Sequence, residues 1–251
     1  MRVHSSSQKP RRRLSPVKEG PLNERVYQVI REGIYSGRFK PGEMIRELRL
    51  AAELQVSQAT VREALLRLER ASLVSRIPNK GTQVTILSEK QFRERMELRC
   101  LLEGIAAVEA AKRMTEEDFQ ELKRLERAFS QAWSRKAYFD LSQAEFQFHH
   151  LIWERSQNES LCQVLDFLVT PMFAFMSVVR SLNPGGSPGM PHAAITDALR
   201  EGGEGKIKEA IANHIRRYRG KSIEQYLRPI RGRREPAIAT RSSADHARVH
   251  V

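Results

Sequence analysis

The stretch from Leu50 to Leu65 admits few folds. Leu48 to Leu54 makes a short helix, Gln55-Val56 interrupts it, and Ser57 is a residue type that caps a new helix start. Val61, Ala64, Leu65 and Leu68 then recur on one helical face. Two helices so joined make a helix-turn-helix, in which the first packs across the second and the second presents its N-terminal turn to the major groove. The side chains expected to be exposed on that turn are Ser57, Gln58, Thr60 and Arg62. Glutamine pairs with adenine, arginine with guanine or a phosphate, and backbone amides at a helix start hold phosphate. Val26, Val29, Ile30 and Ile34, with Leu22 just ahead, predict an earlier helix that Gly37 ends, before a turn at Lys40-Pro41-Gly42-Glu43. Two β-prone pieces follow the motif, Val74 to Ile77 and Gln83 to Ile86. Between them Pro78-Asn79-Lys80-Gly81 has the chemistry of a hairpin tip. Residues 22–87 therefore read helix, helix, helix, hairpin. The hairpin suits a wing, with Asn79, Lys80 and Gly81 reaching along the DNA backbone or into the minor groove.

From Ser88 onward the periodicity is helical throughout, with spans expected at 88–113, 116–134, 137–157, 159–182, 188–203 and 206–227. Asn183-Pro184-Gly185-Gly186-Ser187-Pro188 is the clearest loop of this half. The fold class expected is mainly α: an N-terminal winged helix-turn-helix and a C-terminal all-helical antiparallel bundle. Charge divides at the same place. Residues 1–87 hold 17 Lys+Arg against 8 Asp+Glu, residues 88–226 hold 20 against 20, and residues 227–251 hold 6 against 2. A basic module joined to a neutral one suits a polyanion on the first and a different task for the second. Residues 1–20, rich in Ser, Arg and Pro, and residues 228–251 are expected to be disordered basic arms. The domain plan is thus 1–20 arm, 21–87 DNA-binding domain, 88–227 helical domain and 228–251 tail. No apolar run reaches about 18 residues, so no membrane-spanning helix is expected. Cys100 and Cys162 are expected to be reduced thiols of a cytoplasmic protein.

Residues 22–87 resemble the winged domain of the GntR family of bacterial regulators, whose pattern runs close to V-S-R-T-P-V-R-E-A-L-R-R-L and then N-[KR]-G. Here it stands as Val56-Ser57-Gln58-Ala59-Thr60-Val61-Arg62-Glu63-Ala64-Leu65-Leu66-Arg67-Leu68, then Asn79-Lys80-Gly81. The resemblance implies that Arg62 is the position most used on DNA. Gln58 stands where many members have arginine. Arg46 and Arg49, on or beside the second helix, are expected phosphate contacts.

The neutral half begins with a helix that resembles the first helix of the FCD domain, the effector-binding module of FadR-type GntR regulators. Glu97, Leu98, Arg99, Leu102, Glu103, Ala106 and Ala107 hold its pattern. Glu145 and His149 lie at i and i+4 on one helical face; His192 and His214 follow on later segments. Four such groups on three helices can converge on one divalent ion inside a bundle. The FCD family binds metal through D-x-x-x-H, H and H, and here Glu145 replaces the aspartate. Zn, Ni and Mn all suit three imidazoles and a carboxylate. The resemblance further implies a homodimer that binds an operator, most often as a repressor, and senses a small organic acid. Arg99 can pair with that acid's carboxylate or with Glu103 at i+4. His4, His150, His246 and His250 are read as core, surface or tail. The stripe Phe167, Leu168, Met172, Phe175 and Met176 is read as core or dimer surface. Two rivals are an architectural DNA-binding dimer with no effector and a helical metallohydrolase using Glu145 or Asp197 as base. No nucleophile motif or phosphate loop favours an enzyme.

Overall fold

The computed structural model describes residues 22–182 and 192–216. The expected arms at 1–20 and 228–251, the loop at 183–188 and the end of the last helix lie outside them. The chain divides into two compact units, Met1–Thr85 and Ile86–Val251.

The first unit runs α1 (Leu22–Tyr35), β1 (Met44–Ile45), α2 (Glu47–Leu54), α3 (Gln58–Arg70), β2 (Val74–Ile77) and β3 (Gly81–Val84). Val26, Ile30 and Ile34 of α1 are buried, as are Leu50 of α2 and Val61, Ala64, Leu65 and Leu68 of α3. Val29, one of the residues whose spacing predicted this helix, is 48% exposed, because the buried face of α1 follows the 26–30–34 spacing. Gln55 closes α2 in the left-handed conformation, φ 54°, which turns the chain sharply into α3. Ser57 caps α3: its backbone is extended and its Oγ accepts the Thr60 amide at 3.1 Å.

The sheet is antiparallel in the order β1-β3-β2, with Val74 opposite Val84, Ile77 opposite Gly81 and Ile45 opposite Thr82. β2 has the expected bounds. β3 begins two residues before the expected Gln83, because Gly81 at φ 107° already pairs with Ile77. Ile86 falls outside the strand and is half exposed. β1 was not expected: two residues are too few to show a period.

The second unit is a helical bundle: α4 (Glu89–Ala111), α5 (Glu116–Ser134), α6 (Tyr138–Arg155), α7 (Glu159–Leu182), α8 (Ala193–Glu201) and α9 (Glu204–Arg216). Capping boxes start two of these helices, Ser88 with Gln91 for α4 and Thr115 with Asp118 for α5. α4 lies at the centre of the unit, packing on α6, α7, α8 and α9. Gly104 faces α9, where an added Cβ would come into ordinary contact with Lys208 Cγ at 3.4 Å. The core joins Phe92 and Met96 of α4, Leu122 of α5, Phe148 and Ile152 of α6, Met172 and Phe175 of α7, and Ile207, Ile211 and Ile215 of α9.

α7 bears on one expectation. Its segment Glu159–Val178 is long and apolar enough, by length and composition, to cross a bilayer. Asp166 interrupts the apolar run without lowering the average below that threshold. Leu165, Val169, Met172, Phe173 and Phe175 of this helix are buried within the unit, while Val164 and Phe167 stay exposed. α7 also carries Pro171 in its interior. Proline has no N–H, so the carbonyl of Phe167 four residues back loses its helical donor. Arg95 of α4 supplies another: its Nη1 donates to the carbonyls of Phe167 at 3.3 Å and Leu168 at 2.6 Å.

Candidate functional site

Two clusters of polar side chains stand out, one in each unit. In the first, α3 presents Ser57, Gln58, Thr60 and Arg62 along its opening turns, all at least partly exposed. The Ser57 and Thr60 hydroxyls lie 2.8 Å apart, so both stay close to the helix start. Arg62 donates from Nε and Nη2 to Glu47 Oε2, both at 3.1 Å, and Gln58 Nε2 donates to the same oxygen at 3.1 Å. One carboxylate of α2 therefore ties down both of these long side chains of α3. Arg46 sits at the N-cap of α2 and Arg49 on its first turns, both exposed. At the β2–β3 tip Asn79, at φ 61°, and Gly81 adopt left-handed backbone. The Lys80 amide closes the turn onto the Ile77 carbonyl at 3.0 Å, and all three tip residues are exposed. Asparagine and glycine are the residues that tolerate this geometry best.

In the second unit His149 of α6, His192 at the N-cap of α8 and His214 of α9 meet in the interior. Each offers one ring nitrogen, these atoms lie within 4.8 Å of one another, and all three side chains are buried. His149 Nε2 and His214 Nε2 are 3.3 Å apart. Burial first, and then repulsion from His149, lower the His192 pKa to about 3; the same two causes hold His214 well below the ordinary histidine value. Both rings are thus neutral near pH 7, the form that donates a lone pair to a metal. A tetrahedral ion with bonds of about 2.0–2.1 Å has ligand atoms about 3.3 Å apart, the separation of the facing His149 and His214 nitrogens. His192 Nε2 is a buried polar atom with no hydrogen-bond partner among the described residues. The donor set fits a divalent metal ion.

The other expected members of this site are engaged elsewhere. Glu145, one turn ahead of His149, is buried, and its Oε2 accepts from Arg180 Nη1 at 2.8 Å. The mutually close set therefore consists of the three histidines, with Glu145 beside them in an ion pair. Arg99 is buried, paired through Nε with Glu103 Oε1, and its guanidinium lies over the Phe173 ring, 4.9 Å from the centroid. Of the two partners open to Arg99, the pairing with Glu103 is the one seen. The second oxygen of Glu103 lies 2.7 Å from His149 Nδ1, close enough for a charge contact but outside the geometry of a hydrogen bond. Burial pushes the Glu103 carboxyl up, but Arg99 and then His149 more than offset this and hold it at about 2. A cleft lined by Phe92, Met96, Arg99, Glu145, Met172 and Phe173 adjoins the cluster. The stripe on α7 divides: Leu168, Met172 and Phe175 are buried core, Met176 is half buried and Phe167 is exposed. His150 is half exposed, 3.6 Å from both Glu154 and Asp166.

Comparison with known proteins matches both units. Residues 22–84 fit the model of bacterial regulatory proteins of the gntR family, and residues 94–217 fit the FCD domain. The chain is 30% identical over 167 residues to the HTH-type transcriptional regulator LutR of Bacillus subtilis, spanning 59% of this chain and 74% of LutR. The chain belongs to the GntR family. This GntR protein is also 26% identical over 216 residues to the HTH-type transcriptional repressor RspR of Escherichia coli, covering 84% of this chain and 91% of that one. The solved structure of E. coli McbR/YncC shares its fold, with a TM-score of 0.70 at 24% identity over 83% of this chain and all of that one. The family consists of DNA-binding transcription regulators rather than enzymes, and this GntR regulator joins a winged domain for double-stranded DNA to an FCD domain.

Sequence reasoning on this regulator missed Glu47 and Arg180, and placed Glu103 beside Arg99 without its approach to His149. Glu103 carried a signal, since it is the one charge in Leu101-Leu102-Glu103-Gly104-Ile105-Ala106-Ala107. Glu47 gives a prediction. Glu47→Ala frees Gln58 and Arg62 and removes a negative charge from the DNA-facing side. The ratio of operator to random-sequence affinity should fall on the order of tenfold, while random-sequence binding holds or tightens. Anisotropy titrations on both duplexes measure this, and an unchanged ratio removes Glu47 from the reading head.

Proposed function

We propose that this GntR protein is a homodimeric repressor of the FadR type. In this reading its operator binding is modulated by a small organic acid that binds beside a divalent metal held by His149, His192 and His214. The observation that carries the reading is the meeting of three buried imidazoles, two of them held neutral, from separate helical segments. A lone buried histidine is usually a hydrogen-bonded core residue; three with facing ring nitrogens form a ligand set. Bound there, the ion supplies positive charge and open coordination positions suited to a carboxylate.

The chain's own residues then set what enters. Arg99 and Glu145 line the adjoining cleft, each already matched by an opposite charge, Glu103 and Arg180 respectively. Phe92, Met96 and Phe173 make the rest of the wall apolar. The chemistry of such a lining suits a small acid with an apolar body, and the cleft would have to open to admit it. It can alter operator affinity only by as much as it prefers one arrangement of the reading heads over another.

The dimer finds support in exposed apolar side chains. Leu98, Leu101 and Ile105 of α4 are 49%, 66% and 48% exposed, and Phe167 of α7 is 56% exposed. Arg95, one turn before Leu98, donates to the Phe167 carbonyl, so these residues adjoin. A contiguous apolar patch of this kind marks a contact surface, and a symmetric pair would set two winged domains on two half-sites. Arg62, Gln58, Ser57 and Thr60 would read base edges, Arg46 and Arg49 would hold phosphates, and Asn79, Lys80 and Gly81 would follow the minor groove.

The experiment is metal content of the dialysed full-length protein, wild type beside His149→Ala. About one equivalent per chain in the wild type, lost in the variant, is the expected result. A folded wild type that takes up no Zn or Ni when these are supplied removes the metal from this function.

A further inference from the structure

We infer that Glu103 is the positioning residue of the histidine set, fixing which ring nitrogen of His149 faces the ion; this rests on the metal-binding function proposed above. Glu103 is 1% exposed and His149 fully buried, so neither is screened by water. Arg99 pairs with Oε1 of Glu103, and Oε2 stands 2.7 Å from His149 Nδ1. A buried carboxylate matched by a guanidinium stays anionic. Two acceptors 2.7 Å apart repel, so the nitrogen facing that oxygen is the protonated one. The proton on Nδ1 leaves the lone pair on Nε2, the atom facing His214 Nε2 at 3.3 Å.

Arg99, Glu103 and His149 thus form a relay of position. α4 supplies two members one turn apart, and α6 supplies the third. Each locks the next, and the last aims its lone pair at the other two imidazoles. The same relay explains why the arginine of the Glu97-Leu98-Arg99 stretch faces a carboxylate of its own helix. Carboxylates that hold ligand histidines in this way raise ligand basicity, and their loss typically weakens metal affinity by 10–100-fold.

Two measurements on the full chain test this. In the first, Zn²⁺ is titrated into wild type, Glu103→Gln and Glu103→Asp against a competing chelator. The affinity of Glu103→Gln is expected to fall about 10–100-fold with one site per chain retained, and Glu103→Asp should recover part of the loss. Equal affinity in a folded Glu103→Gln variant overturns the inference. The second needs no metal and no change at Glu103. ¹⁵N spectra of the histidine rings in the metal-free wild type, with the His149 signals identified by their loss in His149→Gln, should show Nδ1 protonated and Nε2 bare. An Nε2–H tautomer there also overturns it. A wild type that binds no Zn²⁺ but shows the Nδ1–H tautomer sinks the metal function and leaves the Glu103–His149 link standing, which tells the two failures apart.

Discussion

Arg62→Ala is expected to weaken operator binding by about 1–3 kcal/mol, or roughly 5- to 150-fold. Arg62 lies on the second turn of α3, its side chain 54% exposed, where a helix docked in the major groove meets base edges. Its guanidinium is already oriented by Glu47, so little side-chain freedom remains to be lost on binding. Titrations over a range of salt concentrations separate the possible roles. Loss of a guanine contact lowers affinity for the operator alone and leaves the salt dependence intact. Loss of a phosphate contact weakens all sequences together and lowers the salt slope by about one. A folded variant with wild-type affinity for operator and random DNA alike would take Arg62 out of the interface.

Acidification from pH 7 to 4 should cost the helical half a free energy on the order of a few kcal/mol. His192 titrates near 3 in the folded chain against 6.5 as its ordinary value, and His214 is shifted the same way. Between those values the unfolded chain binds more protons than the native one, so stability rises with pH. The contribution is complete above about 6.5 and drains away as pH falls towards 3. Glu103, held at about 2 against 4.5, adds to the same slope at the acid end. Urea unfolding followed by helical circular dichroism at several pH values reads the effect, and His192→Gln should flatten it. A pH-independent unfolding energy between 7 and 4 in the wild type would mean that the rings are hydrated or charged in solution.

The elements that carry local signals were legible in the sequence. Ser57 announces α3 because capping is chemistry within one turn. The bounds of α5 and α7 follow from Thr115 and from the long apolar run. The three histidines were legible as a set through the family pattern, since no helical spacing joins His192 or His214 to His149. The ion pairs were not. Glu103 meets His149 across 46 positions and Arg180 meets Glu145 across 35, and no local rule joins residues so far apart. Glu145 shows the consequence: spacing and family pattern pointed it at the metal, and neither showed the ion pair it makes with an arginine near the end of α7. β1 escaped for the opposite reason, being so short that only its pairing with β3 makes it a strand.

The contact between Arg95 and the carbonyls of Phe167, released by Pro171, and of Leu168 has a mechanical consequence. Two helices that meet only through side chains can slide past each other by fractions of a turn. A guanidinium clamped on main-chain oxygens, 2.6 Å from that of Leu168, acts as a crossbar that resists such slippage. Leu98 and Phe167, which flank that crossbar on different helices, therefore behave as one plate. A force applied to either edge of the plate is carried by both helices, and through α4 it reaches Arg99 and Glu103, one and two turns further along the same rod.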